Sequence, residues 1–191
     1  MARTRIFLAV DLDAVLRRQV VALQRTLADS GADVKWVEPD NLHVTLLFLG
    51  EVDDRDLAGV CRVVAKVCSQ TPSFYASLGG IGAFPTLRRP KTLWAGLSDG
   101  AAELVALHAA LVPPILAVGD FRQEERAYTP HLTLGRVNGD DAEATLAVEL
   151  PKHLSWKGGR ASIDEVVIYA SELRKTGPAY TVMGRAELAS D

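Results

Sequence analysis

The chain has 191 residues, 48% hydrophobic and 24% charged, enough for one domain with a sizeable core and too evenly mixed for a long disordered tail. Lys and Arg number 21 against 24 Asp and Glu, and the net charge of −3 excludes a broad basic face for long duplex nucleic acid while leaving room for a local basic pocket. The N-terminal apolar run Ile6–Val10 is far too short for a signal-peptide core or a membrane span, so the expectation is a soluble, cytoplasmic protein.

In chain order, Ile6–Val10 reads as a buried strand, and Leu16, Val20, Leu23 and Leu27 recur at helical spacing until DSGAD stops the pattern. DVKWV starts a second strand, and EPDN turns the chain into a strand over His43–Leu49. A helix over Asp53–Ser69 follows, with Leu57, Val60, Val64 and Val67 on one face. Its cysteines, Cys61 and Cys68, lie two turns apart, roughly 10 Å by the rise per residue, which is beyond disulfide reach and makes them reduced, buried hydrophobes. FYASLGGIGAF and TLWAGL read as strands joined by the Pro- and Arg-rich loop PTLRRPK. Glu103–Leu111 is helical and is expected to end at VPP, where the prolines remove backbone donors. Strands follow at His131–Val137, at ASIDEVVIYAS as one run, and at the closing AYTVMGRAEL. Strand and helix alternate in both halves, which predicts an α+β fold: one bilobal domain over 1–191, with two pseudo-symmetric lobes, each an antiparallel sheet with helices.

Both halves carry the same four-residue pattern. HVTL begins at His43 and HLTL at His131. Along a strand, side chains alternate between faces, so His43 and Thr45 point one way while Val44 and Leu46 enter the core; His131 and Thr133 repeat this with Leu132 and Leu134. Pseudo-symmetric lobes bring the two pairs to opposite walls of one cleft. Two imidazoles, each able to hold or release a proton near neutrality, can share the proton transfers of phosphodiester hydrolysis, and threonine hydroxyls can donate to oxygens where negative charge grows. The scheme needs no metal or other cofactor, and neither motif has further ligands at metal-binding spacing. His108 shares an apolar helix stripe with Leu104, Leu107 and Leu111 and reads as a core-edge residue, and His153 reads as a surface-loop residue. Trp36 and Trp94 fall on strands and are expected in the core.

With these residues in place, WVEPDNLHVTLLFLGEV, FPTLRRPKTLWAGL and YTPHLTLGR resemble the two-histidine (2H) phosphoesterase superfamily, and within it the RNA 2′,3′-cyclic phosphodiesterase (2′-5′ RNA ligase) family. The resemblance runs from RIFLAVDL to SELRKTGPAYTVM, nearly the whole chain. It implies a catalytic set of His43, Thr45, His131 and Thr133 in a cleft between lobes. His43 would be the general acid toward the 3′ oxygen and His131 the base that activates water. It also implies that Phe48 and Arg136, five residues after each histidine, contact the terminal nucleotide. Strict alternation turns both away from the cleft, although Gly135 could allow a bulge ahead of Arg136. Tyr128 reads either as bordering the site or as packing, and Arg88, Arg89 and Lys91 either as a rim for RNA phosphates or as a solvated loop. The implied substrate is an RNA end with a 2′,3′-cyclic phosphate, with no membrane or protein partner and a monomeric state. Cyclic-phosphate hydrolysis on a small nucleotide, or nucleotide binding without turnover, are the alternatives.

Overall fold

The alternating pattern folds into nine strands and four α-helices in a computed structural model that describes residues 2–119, 121, 126–174 and 177–190. In chain order these are β1 (Arg3–Asp11), α1 (Ala14–Ala28), β2 (Val34–Trp36), β3 (His43–Asp53), α2 (Asp54–Cys68), β4 (Phe74–Thr86), β5 (Arg89–Asp99), α3 (Ala101–Leu116), β6 (Leu132–Val137), α4 (Asp140–Glu149), β7 (Lys157–Ile163), β8 (Glu165–Arg174) and β9 (Gly177–Glu187). Lys175 and Thr176, part of the C-terminal stretch that carries the resemblance, lie outside the described residues.

All nine strands join one antiparallel sheet in the order β7-β4-β5-β6-β3-β1-β8-β9, with β2 also paired to β6. The two expected lobes are the halves of this curled sheet, four strands on either side of the β3–β6 seam. The seam is short: Val44 opposite Leu132 is its one pair. The order β1-α1-β3-α2 in one half is echoed by β5-α3-β6-α4 in the other. Inward residues of all four helices and of the strands merge into a single core on one face of the sheet, including Leu16, Val60, Leu107 and Leu146 with Ile6, Leu8, Leu46, Leu93 and Leu134. The opposite face is left open, and both motifs point into it.

Helix α1 starts where Asp13 caps it, its carboxylate accepting the Leu16 N–H at 2.7 Å, and buries Leu16, Val20, Leu23 and Leu27 as their spacing predicts. Helix α3 runs through VPP to Leu116, contrary to expectation. Leu111 and Ile115 are both buried, and their packing carries the helix past two missing donors, with the Ala117 N–H still reaching the Pro113 carbonyl at 3.2 Å. ASIDEVVIYAS is two strands, because the chain breaks at Asp164 and crosses from β7, at one edge of the sheet, to β8 beside β1. The expected loop PTLRRPK is mostly strand, since Thr86 pairs with Arg89 and leaves Leu87 and Arg88 as the turn. Helix α4 has no counterpart in the sequence reading; Ala142 and Leu146 are what it buries from a weak stripe. No helix among the described residues is long and apolar enough to cross a membrane.

Candidate active site

Because β3 and β6 are adjacent and antiparallel with Val44 facing Leu132, one step of register to either side sets His43 opposite Thr133 and Thr45 opposite His131. The four side chains form the corners of a rectangle on the open face. Directly opposed residues in such a pair lie roughly 5 Å apart and diagonal ones roughly 7–8 Å, and the two histidines stand at the diagonal positions.

Each motif presents its imidazole in the same way. His43 Nδ1 donates to the Asn41 carbonyl at 2.8 Å and His131 Nδ1 donates to the Thr129 carbonyl at 2.7 Å, in both cases two residues back along the chain. A carbonyl can only accept, so Nδ1 carries the proton and Nε2 is the nitrogen offered to the cleft. His43 Nε2 meets the Thr45 hydroxyl at 3.1 Å. Asn41 reaches His43 because the chain between β2 and β3 makes a short excursion with a 3-10 turn at Pro39–Asn41, anchored by Arg17 on the Pro39 carbonyl and by Asn41 Nδ2 on the Pro178 carbonyl at 3.2 Å.

The leucine after each threonine is a β-bulge. On β3, Thr45 pairs with Ala9 and Leu47 with Leu8, leaving Leu46 extra; on β6, Thr133 pairs with Trp94 and Gly135 with Leu93, leaving Leu134 extra. Both leucines stay in the core. The extra residue reverses the parity that strict alternation assigns, so Phe48 and Arg136 return to the open face. This corrects the expectation that they point away. Phe48 is 54% exposed and lies 5.8 Å from Phe7, which sits 5.0 Å from His43. Arg136 is exposed, stands opposite Lys35 of β2 and Thr92 of β5, and acts electrostatically on Tyr180. Gly135 is required at that bulge because a Cβ there would lie 2.7 Å from Val34 Cγ1.

Side chains from outside the sheet hold the bulged backbone. Gln24 of α1, buried, donates at 2.9 Å to both the Val37 and the Leu134 carbonyls, stitching the start of the β2–β3 excursion to the second bulge. Tyr128 donates its hydroxyl to the Thr45 carbonyl at 2.9 Å and stacks on His108 at 4.3 Å. Tyr128 therefore supports the site from behind, and burial pushes its hydroxyl well above the usual range, so it remains a donor. His108 is a core-edge residue, as its stripe predicts.

An aromatic bed surrounds each histidine. Tyr169 and Tyr180 join Phe7 around His43, at ring separations of 6.3 Å and 5.5 Å from it. Phe84 meets His131 edge-on at 5.0 Å, with Trp94 at 6.3 Å. Trp94 is thus a cleft residue, against expectation, because it shares the face of its partner Thr133; Trp36 packs on the core as expected. Phe7, Phe84, Tyr169 and Tyr180 were missed in the sequence, where nothing in their own segments separates them from packing residues. Burial lowers the His43 pKa from 6.5, opposed in part by its bond to Asn41 and by the Asp11 carboxylate, and assisted by Arg17. Lys91 is not a rim residue, since it is paired with Glu143 of α4, whereas Arg88 and Arg89 are exposed at the β4–β5 turn. His153 is half-buried in a 3-10 turn and bonds Glu149 at 2.8 Å. Cys61 and Cys68 are both free. Among the described residues no group of three His, Cys, Asp or Glu side chains is placed to hold a metal ion.

The chain is similar to known proteins over nearly its whole length. The chain is 38% identical over 181 residues to the RNA 2′,3′-cyclic phosphodiesterase of Methanothermobacter thermautotrophicus, covering 95% of this chain and 97% of that one. To the RNA 2′,3′-cyclic phosphodiesterase of Archaeoglobus fulgidus it is 35% identical over 176 residues, or 92% and 96% of the two chains. A crystal structure of a phosphoesterase matches with a TM-score of 0.80 at 28% identity, over 98% of this chain and 99% of that one. Escherichia coli LigT complexed with NADP+ matches with a TM-score of 0.78 at 28% identity, over 99% of both. The family model of the 2′-5′ RNA ligase superfamily spans residues 7–174, from the strand beneath His43 to the strand that carries Tyr169, and with it the paired motifs find their place: the chain belongs to the 2′-5′ RNA ligase superfamily.

Proposed function

We propose that the protein is an RNA 2′,3′-cyclic phosphodiesterase that opens cyclic phosphate ends to 2′-phosphates without a metal, using His43, Thr45, His131 and Thr133. The observation that carries this reading is the pair of imidazoles, each with Nδ1 bonded to a carbonyl two residues back and Nε2 left for substrate, at diagonal positions across the β3–β6 seam. His131 Nε2 takes a proton from water, whose oxygen attacks phosphorus. The P–O3′ bond breaks, and protonated His43 gives its Nε2 proton to the departing O3′, leaving a 3′-hydroxyl and a 2′-phosphate. The threonine hydroxyls donate to the non-bridging oxygens, Thr45 turning from His43 to do so. With the 5′-hydroxyl of a second RNA in place of the attacking water, the same in-line displacement of O3′ makes a 2′-5′ linkage.

The relatives named above are RNA 2′,3′-cyclic phosphodiesterases, which supports the substrate class. Phe48 and Arg136 supply a ring and a guanidinium for the terminal base, and a stacked base contributes about 1–3 kcal/mol with little regard to its identity. A short RNA end can be met by a few local cations, Arg136 with Lys35 opposite it and Arg5, which like Arg136 acts on Tyr180, and this is compatible with a net charge of −3. The test is the rate of His43→Ala and His131→Ala on a short RNA with a cyclic phosphate end. Each is expected to lose about 10²- to 10⁴-fold in kcat, as for a missing acid or base. Wild-type rates in either variant contradict the mechanism.

A further inference from the structure

The two halves of the cleft share their motif residues and their Nδ1–carbonyl bonds, and they differ in the residue that stands beside each histidine. Beside each motif strand runs a partner strand, β1 next to β3 and β5 next to β6, and the register gives the residue opposite each histidine. Opposite His43 it is Asp11. Opposite His131, one step beyond the Ala95–Leu132 pair, it is Gly96. A Cβ at Gly96 would lie 3.0 Å from the Gly79 carbonyl and 3.3 Å from the Trp94 ring, so a side chain there would be crowded, and Gly96 places no carboxylate beside His131. Asp11, by contrast, is held in place: the Tyr169 hydroxyl donates to both of its oxygens, at 2.8 and 2.9 Å.

We propose that Asp11, oriented by Tyr169, is the positioning residue that gives the near-symmetric cleft its direction, by stabilising the imidazolium of His43 and so making His43 rather than His131 the general acid. The inference rests on the two-histidine reading above. Other groups around His43 do not supply this bias: the Asn41 carbonyl favours its imidazolium more than Asp11 does, but the Thr129 carbonyl makes the same bond to His131. Arg17 from α1 opposes a positive imidazole, Tyr169 from β8 and Tyr180 from β9 are kept neutral by burial, and Arg5 and Arg136 stand beside Tyr180 as further cations. Asp11 is the one anion among the named neighbours. It opposes part of the desolvation that a buried imidazolium suffers, and a bound phosphodiester adds negative charge in the same sense.

The experiment is Asp11→Asn, with kcat/KM followed against pH on a short cyclic-phosphate RNA and the ring nitrogens of His43 and His131 titrated by NMR. Without the carboxylate the acid form of His43 is lost at lower pH. The basic limb of the profile therefore moves down, with rates about 3- to 10-fold lower above that limb and close to wild type below it. The His43 titration moves down while that of His131 stays. Tyr169→Phe, which keeps the charge but frees its orientation, gives a smaller shift in the same direction and serves if Asp11→Asn does not fold. A shift of the acidic limb, a shift of His131 instead of His43, or no shift in a folded variant overturns the inference. His43→Ala separates the two levels: if that variant keeps its rate, the two-histidine reading itself fails, whereas a dead His43→Ala beside an unshifted Asp11→Asn removes only the role of Asp11.

Discussion

Replacing Gln24 with Leu keeps the side-chain volume in the core of α1 and removes one amide. That amide donates to two carbonyls, of Val37 and Leu134, each at 2.9 Å, and the Leu134 carbonyl also receives the Val37 N–H at 2.9 Å. After the substitution Leu134 keeps one partner, while the Val37 carbonyl loses the amide. A buried acceptor left unmade costs about 1–3 kcal/mol and a lost second bond about 0.5–1.5 kcal/mol, so Gln24→Leu is expected to destabilise by about 2–4 kcal/mol. Urea unfolding measures this as a lower midpoint with an unchanged slope. Because those carbonyls mark the excursion that orients His43 and the bulge that turns Arg136, the variant should also lose turnover at temperatures where it is still folded. A loss of stability below about 0.5 kcal/mol refutes the argument that Gln24 holds the bulged backbone.

Phe48→Ala removes an exposed ring from the open face and should raise KM by about 5- to 100-fold, the equivalent of one lost base stack, with little change in Tm. Tyr128→Phe retains the stack on His108 but leaves the Thr45 carbonyl without its donor, so about 1–3 kcal/mol of stability is lost and kcat falls; an unchanged Tm would contradict the supporting role. His43 also makes stability pH-dependent. Its folded pKa lies below 6.5, so as pH falls through the unfolded value the unfolded chain takes up a proton that the folded chain does not, and stability declines until the lower folded pKa is reached. His43→Gln should flatten that part of the stability profile measured by urea unfolding across acid to neutral pH.

The four motif residues were legible because period-2 alternation and a repeated pattern need only one strand at a time. The helices α1 and α2 were legible for the same reason, their apolar stripes being local. What could not be read depends on pairing between strands distant in sequence. The bulges at Leu46 and Leu134 exist only relative to β1 and β5, and they decide the face of Phe48 and Arg136. The repeated leucine was the visible trace of both, and Gly135 hinted at the second. Trp94 looked like a core residue because a strand carries residues on two faces, and which face is open depends on where the helices pack. The run ASIDEVVIYAS hid a crossover at Asp164, since that single residue is all that separates the two strands.

The central claim is that two histidines open a cyclic phosphate to a 2′-phosphate, and ³¹P NMR of a short RNA ending in 2′,3′-cyclic phosphate tests it most directly, in excess EDTA, with wild type, His43→Ala and His131→Ala side by side. The account predicts a 2′-phosphate signal from wild type alone. A cyclic signal unchanged in all three samples, a 3′-phosphate product, or full conversion by either variant would contradict it.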